Sequence, residues 1–136
     1  MSTQRDGQLQ DDGWCFACGS HNPHGLHLTD FCFEGDHYVC NFTPQRCHQG
    51  WVGTTHGGII ATLLDEIMTR MLWEQGTDAL TGELRIRYHQ PAPTGHQLTI
   101  RGWTERSSGR LIVAEAQAEL SSGELVAEAQ AKFVQT

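Results

Sequence analysis

The sequence predicts an α+β domain, one long buried helix against a mostly antiparallel sheet of about six strands. Three observations carry this. Apolar residues recur at Ile60, Leu63, Leu64, Ile67, Met68, Met71 and Leu72, the 3–4 spacing of one buried helix face. The stretch Val113 to Leu120 is nearly repeated as Val126 to Phe133, and both alternate small with polar residues. Serine- and glycine-rich turns, Ser107-Ser-Gly109 and Ser121-Ser-Gly-Glu124, precede and separate those two stretches.

At 136 residues the chain is one domain. Residues 1–13 are polar and read as a flexible tail, with the domain over 14–136. Trp14 to Gly25 is turn-rich loop, holding Cys15-Phe-Ala-Cys18-Gly19 and Asn22-Pro-His-Gly25. Two strands follow, Leu26–Phe33 and His37–Thr43, joined at Glu34-Gly-Asp36 as a hairpin. A loop from Pro44 to Thr55 leads into the helix, whose pattern stops near Gly76, a residue suited to a C-terminal cap. Leu84, Ile86 and Tyr88 alternate with Arg85, Arg87 and His89 in a half-buried strand ended by Pro91. The next strand runs from Leu98 to about Thr104.

The last two strands oppose their composition. Alanine, glutamate and glutamine favour helix. Period 2 decides otherwise, placing Ala114, Ala116, Ala118 and Leu120 on one face and Glu115, Gln117 and Glu119 on the other. Alanines facing inward leave room for something bulky, and the helix beginning at Gly57 is the one long apolar rod available.

A formal charge of −7 without a basic block argues against nucleic-acid binding. No apolar run reaches membrane-spanning length and no signal peptide opens the chain, so no membrane insertion is expected. Five cysteines without a secretion signal suggest a reduced, cytoplasmic protein. Cys15 and Cys18 are half of a zinc site, which His21, His24, His27 or Cys47-His48 could complete. One Cys-x-x-Cys alone falls short of a site, so no metal is expected; any zinc held there would be structural. Cys32 and Cys40, within strands, read as small buried hydrophobes.

The helix carries the chemistry. Gly58, Thr62, Asp65 and Thr69 form a polar stripe beside the apolar face. Glu66 and Arg70, four apart, read as a solvent-side ion pair. Asp65 is then the acid that needs a role, because an acid edging a buried helix costs stability unless paired or used. Free N–H groups at the helix start bind negative charge, and Gly57 and Gly58 let a ligand come close, as in an oxyanion hole. Asp65 lies eight residues beyond Gly57, roughly 12 Å along the axis at about 1.5 Å per residue. One helix therefore cannot easily supply both groups to one reacting centre, whereas two antiparallel copies across a twofold axis can.

Gly50-Trp-Val-Gly-Thr-Thr-His56-Gly57-Gly58-Ile-Ile-Ala-Thr-Leu-Leu-Asp65-Glu66 resembles the hotdog-fold acyl-CoA thioesterases, in particular their phenylacetyl-CoA thioesterase-like branch. Thr81-Gly-Glu-Leu-Arg-Ile-Arg-Tyr88, Pro91-Ala-Pro-Thr-Gly95 and the Cys15 to Leu26 opening extend the resemblance over about residues 14 to 135. It implies a helix wrapped by its sheet, homodimers with shared sites and often tetramers, and an acyl-CoA substrate with no cofactor beyond its coenzyme A. It further implies that Gly57 donates its N–H to the thioester carbonyl, with His56 and Gly58 shaping the loop. Asp65 of the partner subunit would attack directly or activate water. Thr69 and Thr81 match polar positions that hold water or substrate. Many members carry Asn or Gln six residues before the histidine, where this chain has Gly50, leaving Gln49 or His48 to substitute. Arg85 and Arg87 are offered to the coenzyme A phosphates, against a plain solvated strand face.

Two other functions fit less well. An acyl-thioester hydratase or dehydratase needs a histidine and a carboxylate converging on the α and β carbons, and the His-Gly-Gly…Asp order suits hydrolysis better. A non-catalytic acyl-CoA-binding module draws its support from the glycine at position 50.

Overall fold

The structure, a computed structural model, describes residues 9–136. Six strands and one helix follow in the order β1 (Cys32–Glu34), β2 (His37–Phe42), α1 (Gly57–Glu74), β3 (Ala79–Tyr88), β4 (Leu98–Ser108), β5 (Leu111–Leu120) and β6 (Leu125–Gln135), with a 3-10 turn at Arg46–His48. They form one sheet in the order β1-β2-β4-β5-β6-β3, every pairing antiparallel. This is the hotdog architecture, with α1 lying across one face of the sheet.

The alternation read in β5 and β6 holds. Ala114, Ala116, Ala118, Ala127, Ala129 and Ala131 are buried, while Glu115 and Glu128 face away from the core. Register aligns the small residues into rows: Gly102 opposes Ala116, which opposes Ala129, and Ala114 opposes Ala131. Leu63, Leu64, Ile67, Met68 and Met71 are fully buried in the same core as these alanines. A Cβ at Gly102 would sit 3.2 Å from Ile67 Cγ2, so glycine there permits the close approach of helix to sheet. Burying a leucine or methionine side chain stabilises by about 1.5–3 kcal/mol, so this face is what holds the helix in place.

The helix ends as its glycine predicts. Gly76 has φ +83°, the Thr77 N–H donates to the Leu72 carbonyl, and the Gly76 N–H donates to the Trp73 carbonyl. Both bonds satisfy otherwise orphaned carbonyls in a Schellman closure.

The first expected strand is mostly not a strand. β1 spans three residues, because His27 and Asp30 take positive φ values of 55° and 59°. The Leu26 and Leu28 N–H groups instead donate to the carbonyls of Phe16 and Ala17, tying this stretch to the opening loop. Elsewhere the strands run longer than their turn signals suggest: β3 begins at Ala79 and β4 continues to Ser108 through a register shift between Thr104 and Arg106. Cys40 is buried as expected, but Cys32 is exposed on the short edge strand. Of the residues expected as tail, 1–8 lie outside the described residues; Gly13 is buried and its carbonyl accepts from the His21 N–H. Among the described residues no helix is long and apolar enough to cross a membrane.

Candidate active site

An α-helix begins with four N–H groups lacking intrahelical acceptors. In α1, counted from the cap residue, three of these four find acceptors: the His56 N–H donates to the His48 carbonyl at 2.9 Å, and Gly58 and Ile59 donate to His56. Its Nδ1 accepts from the Gly58 N–H at 2.8 Å, and its carbonyl accepts from Ile59 at 2.9 Å and Ile60 at 3.2 Å. His56 therefore acts as the N-cap, and in its neutral form carries its ring proton on Nε2. The Gly57 N–H has no acceptor among the described residues. Beside it is an open groove lined by Cys47, His48, Gln49, His56, Gly58 and Ile59. One unsatisfied donor at the positive end of an 18-residue helix is the arrangement that stabilises a developing oxyanion.

A residue to which the sequence reading gave no role in the site holds the next peptide, Gly57–Gly58. Tyr88, at the end of β3, donates its hydroxyl to the Gly57 carbonyl at 2.7 Å. Its alternation with Leu84 and Ile86 was a signal that it faces the helix; which atom it reaches depends on strand placement.

Asp65 stands two turns further along α1, half-buried. Burial pushes its carboxyl above the ordinary range, and the Thr81 hydroxyl opposes that by donating to Oδ1 at 2.8 Å. Thr81 sits at a register shift in the β3–β6 pairing, between Thr81 and Glu83, which locally re-aims side chains. Thr69, one turn beyond Asp65, has a buried hydroxyl without a partner among the described residues. Thr62 bonds back to the Gly58 carbonyl at 2.9 Å. The polar stripe is thus a half-buried helix edge on which Asp65 has a hydrogen bond but, among the described residues, no ion pair.

At position 50, where the resemblance implies Asn or Gln, a Cβ on Gly50 would approach His56 Cδ2 to 3.3 Å. Glycine there accommodates the cap histidine. The neighbouring Gln49 accepts the Gly53 N–H at 3.1 Å, and His48 holds the turn before it by accepting from the Gln45 N–H at 2.9 Å. Arg85 and Arg87 are exposed, with Arg85 3.7 Å from Glu83.

Glu66 corrects the sequence reading. It is not a solvent-side partner of Arg70: it is 7% exposed, with its carboxylate oxygens 3.8 and 3.9 Å from Cys15 Sγ. Arg70 bonds Glu74 at 3.3 Å and lies 4.3 Å over the Phe31 ring. The reason is tertiary. The opening loop covers the side of the helix that carries position 66, whereas i,i+4 spacing alone treats that side as solvent. Burial raises the Glu66 carboxyl to about 7.

Comparison with known proteins agrees with this architecture. Residues 52–127 match the family model described as the thioesterase superfamily. The chain is 29% identical over 93 residues to the Mus musculus protein named acyl-coenzyme A thioesterase 13, covering 66% of each. It thus spans about two thirds of that relative's length. A Streptococcus mutans protein solved bound to acetyl CoA superimposes with a TM-score of 0.73 at 25% identity, over 79% of this chain and 90% of that one. The E. coli PaaI protein, from the phenylacetic acid degradation operon, shares the fold with a TM-score of 0.74 at 19% identity, over 80% and 83% of the two chains. The chain belongs to the thioesterase superfamily, a family of thioester hydrolases, and has its hotdog fold.

Proposed function

We propose that the protein is a cytoplasmic acyl-CoA thioesterase, hydrolysing an acyl- or aryl-CoA to the free acid and coenzyme A in sites shared across a homodimer. The observation that carries this is the unsatisfied Gly57 N–H at a helix start whose other first-turn donors are all occupied. Such a donor is matched to a thioester carbonyl oxygen that gains charge as water adds. Asp65 supplies the base. Its raised carboxyl is a stronger proton acceptor than an exposed aspartate, and Thr81 anchors one oxygen and leaves the other for water. Because both groups lie on one helix about 12 Å apart, the Asp65 serving each Gly57 belongs to the partner subunit.

In this reading Asp65 takes a proton from water as its oxygen bonds to the carbonyl carbon. The oxyanion rests on Gly57, the carbon–sulfur bond breaks, and the thiolate leaves to be protonated. Ile59 and Ile60, donating to the His56 carbonyl, hold the peptide that carries the Gly57 N–H, and Tyr88 and the His56 ring hold the next one. Gly58 keeps the approach open, and Thr69 offers its hydroxyl to the water. Gln49 borders the groove, and Arg85 and Arg87 are exposed cations available to phosphates. Trp51 and Val52, 86% and 92% exposed on the loop before the helix, are apolar surface suited to cover by a second copy. All five cysteines are free, which suits a reducing compartment.

Thiol release from a panel of acyl- and aryl-CoA esters tests the proposal. Turnover by the wild type and its loss in Asp65→Asn are expected. Binding of the esters without thiol release from any of them would overturn hydrolysis in favour of a binding module. An acyl-enzyme anhydride trapped at Asp65 by hydroxylamine would replace the general base with a nucleophile.

A further inference from the structure

We propose that Cys15, Cys18 and Glu66 form a binding site for a zinc-class divalent ion, which staples the opening loop to the buried side of α1. Their donor atoms all lie within 4.8 Å of one another, and Cys15 Sγ is 3.8 and 3.9 Å from the two Glu66 oxygens. A tetrahedral ion with metal–sulfur bonds of about 2.3 Å and metal–oxygen bonds of about 2.1 Å needs sulfur–oxygen edges of about 3.6 Å. The Cys15–Glu66 edge is thus within a few tenths of an ångström of ligating separation, and no pair among the three donors exceeds 4.8 Å.

The loop is built to hold that spacing. The Gly19 N–H donates to the Cys15 carbonyl at 2.8 Å, closing a turn around the Cys-x-x-Cys. A Cβ on Gly19 would lie 2.4 Å from the Gly13 carbonyl oxygen and 2.5 Å from the Cys15 nitrogen, so only glycine closes it. Leu26 and Leu28, hydrogen-bonded to Phe16 and Ala17, seat the loop in the core cluster.

Charge argues the same way. Ionising a carboxylate 7% exposed beside two thiols is favoured by a cation, and Arg70, which also bonds Glu74 and lies over the Phe31 ring, supplies that only in part. Two thiolates and a carboxylate around a divalent ion leave a single negative charge, which the nearby Arg70 offsets. Asp11 adds a lesser sign: its Oδ2 is buried without a partner among the described residues, and its charge acts weakly on Cys15. Water would take the fourth position. The sulfur-rich donor set favours zinc over magnesium or calcium. Binding would release the thiol protons to solvent. Since α1 carries Glu66 beside Asp65, two turns along the helix from Gly58 and Ile59, the site would brace the helix and take no part in hydrolysis.

The test uses the full chain, reduced, stripped with chelator and titrated with Co²⁺ and then Zn²⁺. We expect one ion per chain, a thiolate-to-cobalt charge-transfer band with intense tetrahedral d–d bands, and displacement by one equivalent of Zn²⁺. The Cys15→Ser/Cys18→Ser double variant should lose the bands. Glu66→Gln should keep the thiolate band but bind zinc at least about tenfold more weakly. Cys32→Ser and Cys47→Ser, exposed elsewhere, should bind as the wild type does. If the double variant fails to fold by circular dichroism, the wild-type titration and Glu66→Gln decide. Reduced protein giving no thiolate–cobalt band, or Glu66→Gln binding as tightly as wild type, overturns the site. So does a Cys15–Cys18 pair that cycles through a disulfide without ever taking metal.

Discussion

Asp65 and Gly57 make opposite demands on the residues that hold them. The Asp65 carboxyl is raised by burial and restrained by one hydroxyl, so the folded state keeps its proton at pH values where the unfolded chain has lost it. Its contribution to stability therefore falls as pH rises from the ordinary 3.8 through the raised value. Asp65→Asn keeps an oxygen for Thr81 to bond and should melt at or above the wild-type temperature at neutral pH. Its turnover should fall about 10²–10⁴-fold, the range for a lost general base. Melting curves beside thiol-release rates check both halves. Thr81→Val removes the restraint, so the acid limb of the kcat/KM profile should move to higher pH, while Thr81→Ser should restore it. Gly57 poses a steric question. The nearest atoms to a Cβ there are the hydroxyl and ring carbons of Tyr88, at 3.6–3.7 Å, an ordinary contact. Gly57→Ala should therefore fold with undiminished stability and lose kcat/KM, because its methyl intrudes where the substrate must approach. Undiminished kcat/KM in that variant would remove Gly57 from the oxyanion role.

At the scale of elements, the helix and the alanine strands depend on each other. Gly102 and the rows of alanines opposite it form the shallow bed in which Ile67 and its neighbours lie. Gly102→Val should cost about 1–3 kcal/mol by overpacking against Ile67, read as a drop in denaturation midpoint with an unchanged slope. This layer was legible in the sequence because two periods recorded it: 3.6 along Ile60 to Leu72 and 2 along Val113 to Phe133. The run Leu26 to Asp30 was not, because its apolar alternation imitates a strand while His27 and Asp30 take left-handed conformations. Hydrogen bonds to Phe16 and Ala17, ten and eleven residues earlier, decide that geometry, and no local pattern encodes them.

For the whole molecule, the separation of Gly57 and Asp65 along one rod yields a prediction about assembly. If each site takes Gly57 from one subunit and Asp65 from the other, mixing inactive Asp65→Asn and Gly57→Ala proteins creates heterodimers with one intact and one doubly altered site. After full exchange about a quarter of wild-type activity should return. Equilibration of the two variants in mild denaturant, followed by thiol-release assay, checks this. No recovery despite demonstrated subunit exchange would confine both groups to one chain.

The sequence by itself determined the elements and the chemical candidates. Hydrophobic period, turn residues and the His-Gly-Gly…Asp spacing are local signals, and they placed one helix, the long strands, Gly57 and Asp65 before any contact was known. Tertiary structure alone decided which neighbours those residues meet. It left the Gly57 N–H unpaired while His48 and His56 took the others, brought Tyr88 onto the Gly57 carbonyl from 31 residues away, and held Asp65 with Thr81 from 16. It also turned Glu66 from an expected surface ion pair into a buried acid beneath Cys15, 51 residues earlier in the chain. Helical spacing states which side chains share a face; what covers that face is settled by chain segments distant in sequence, through packing that no local period records.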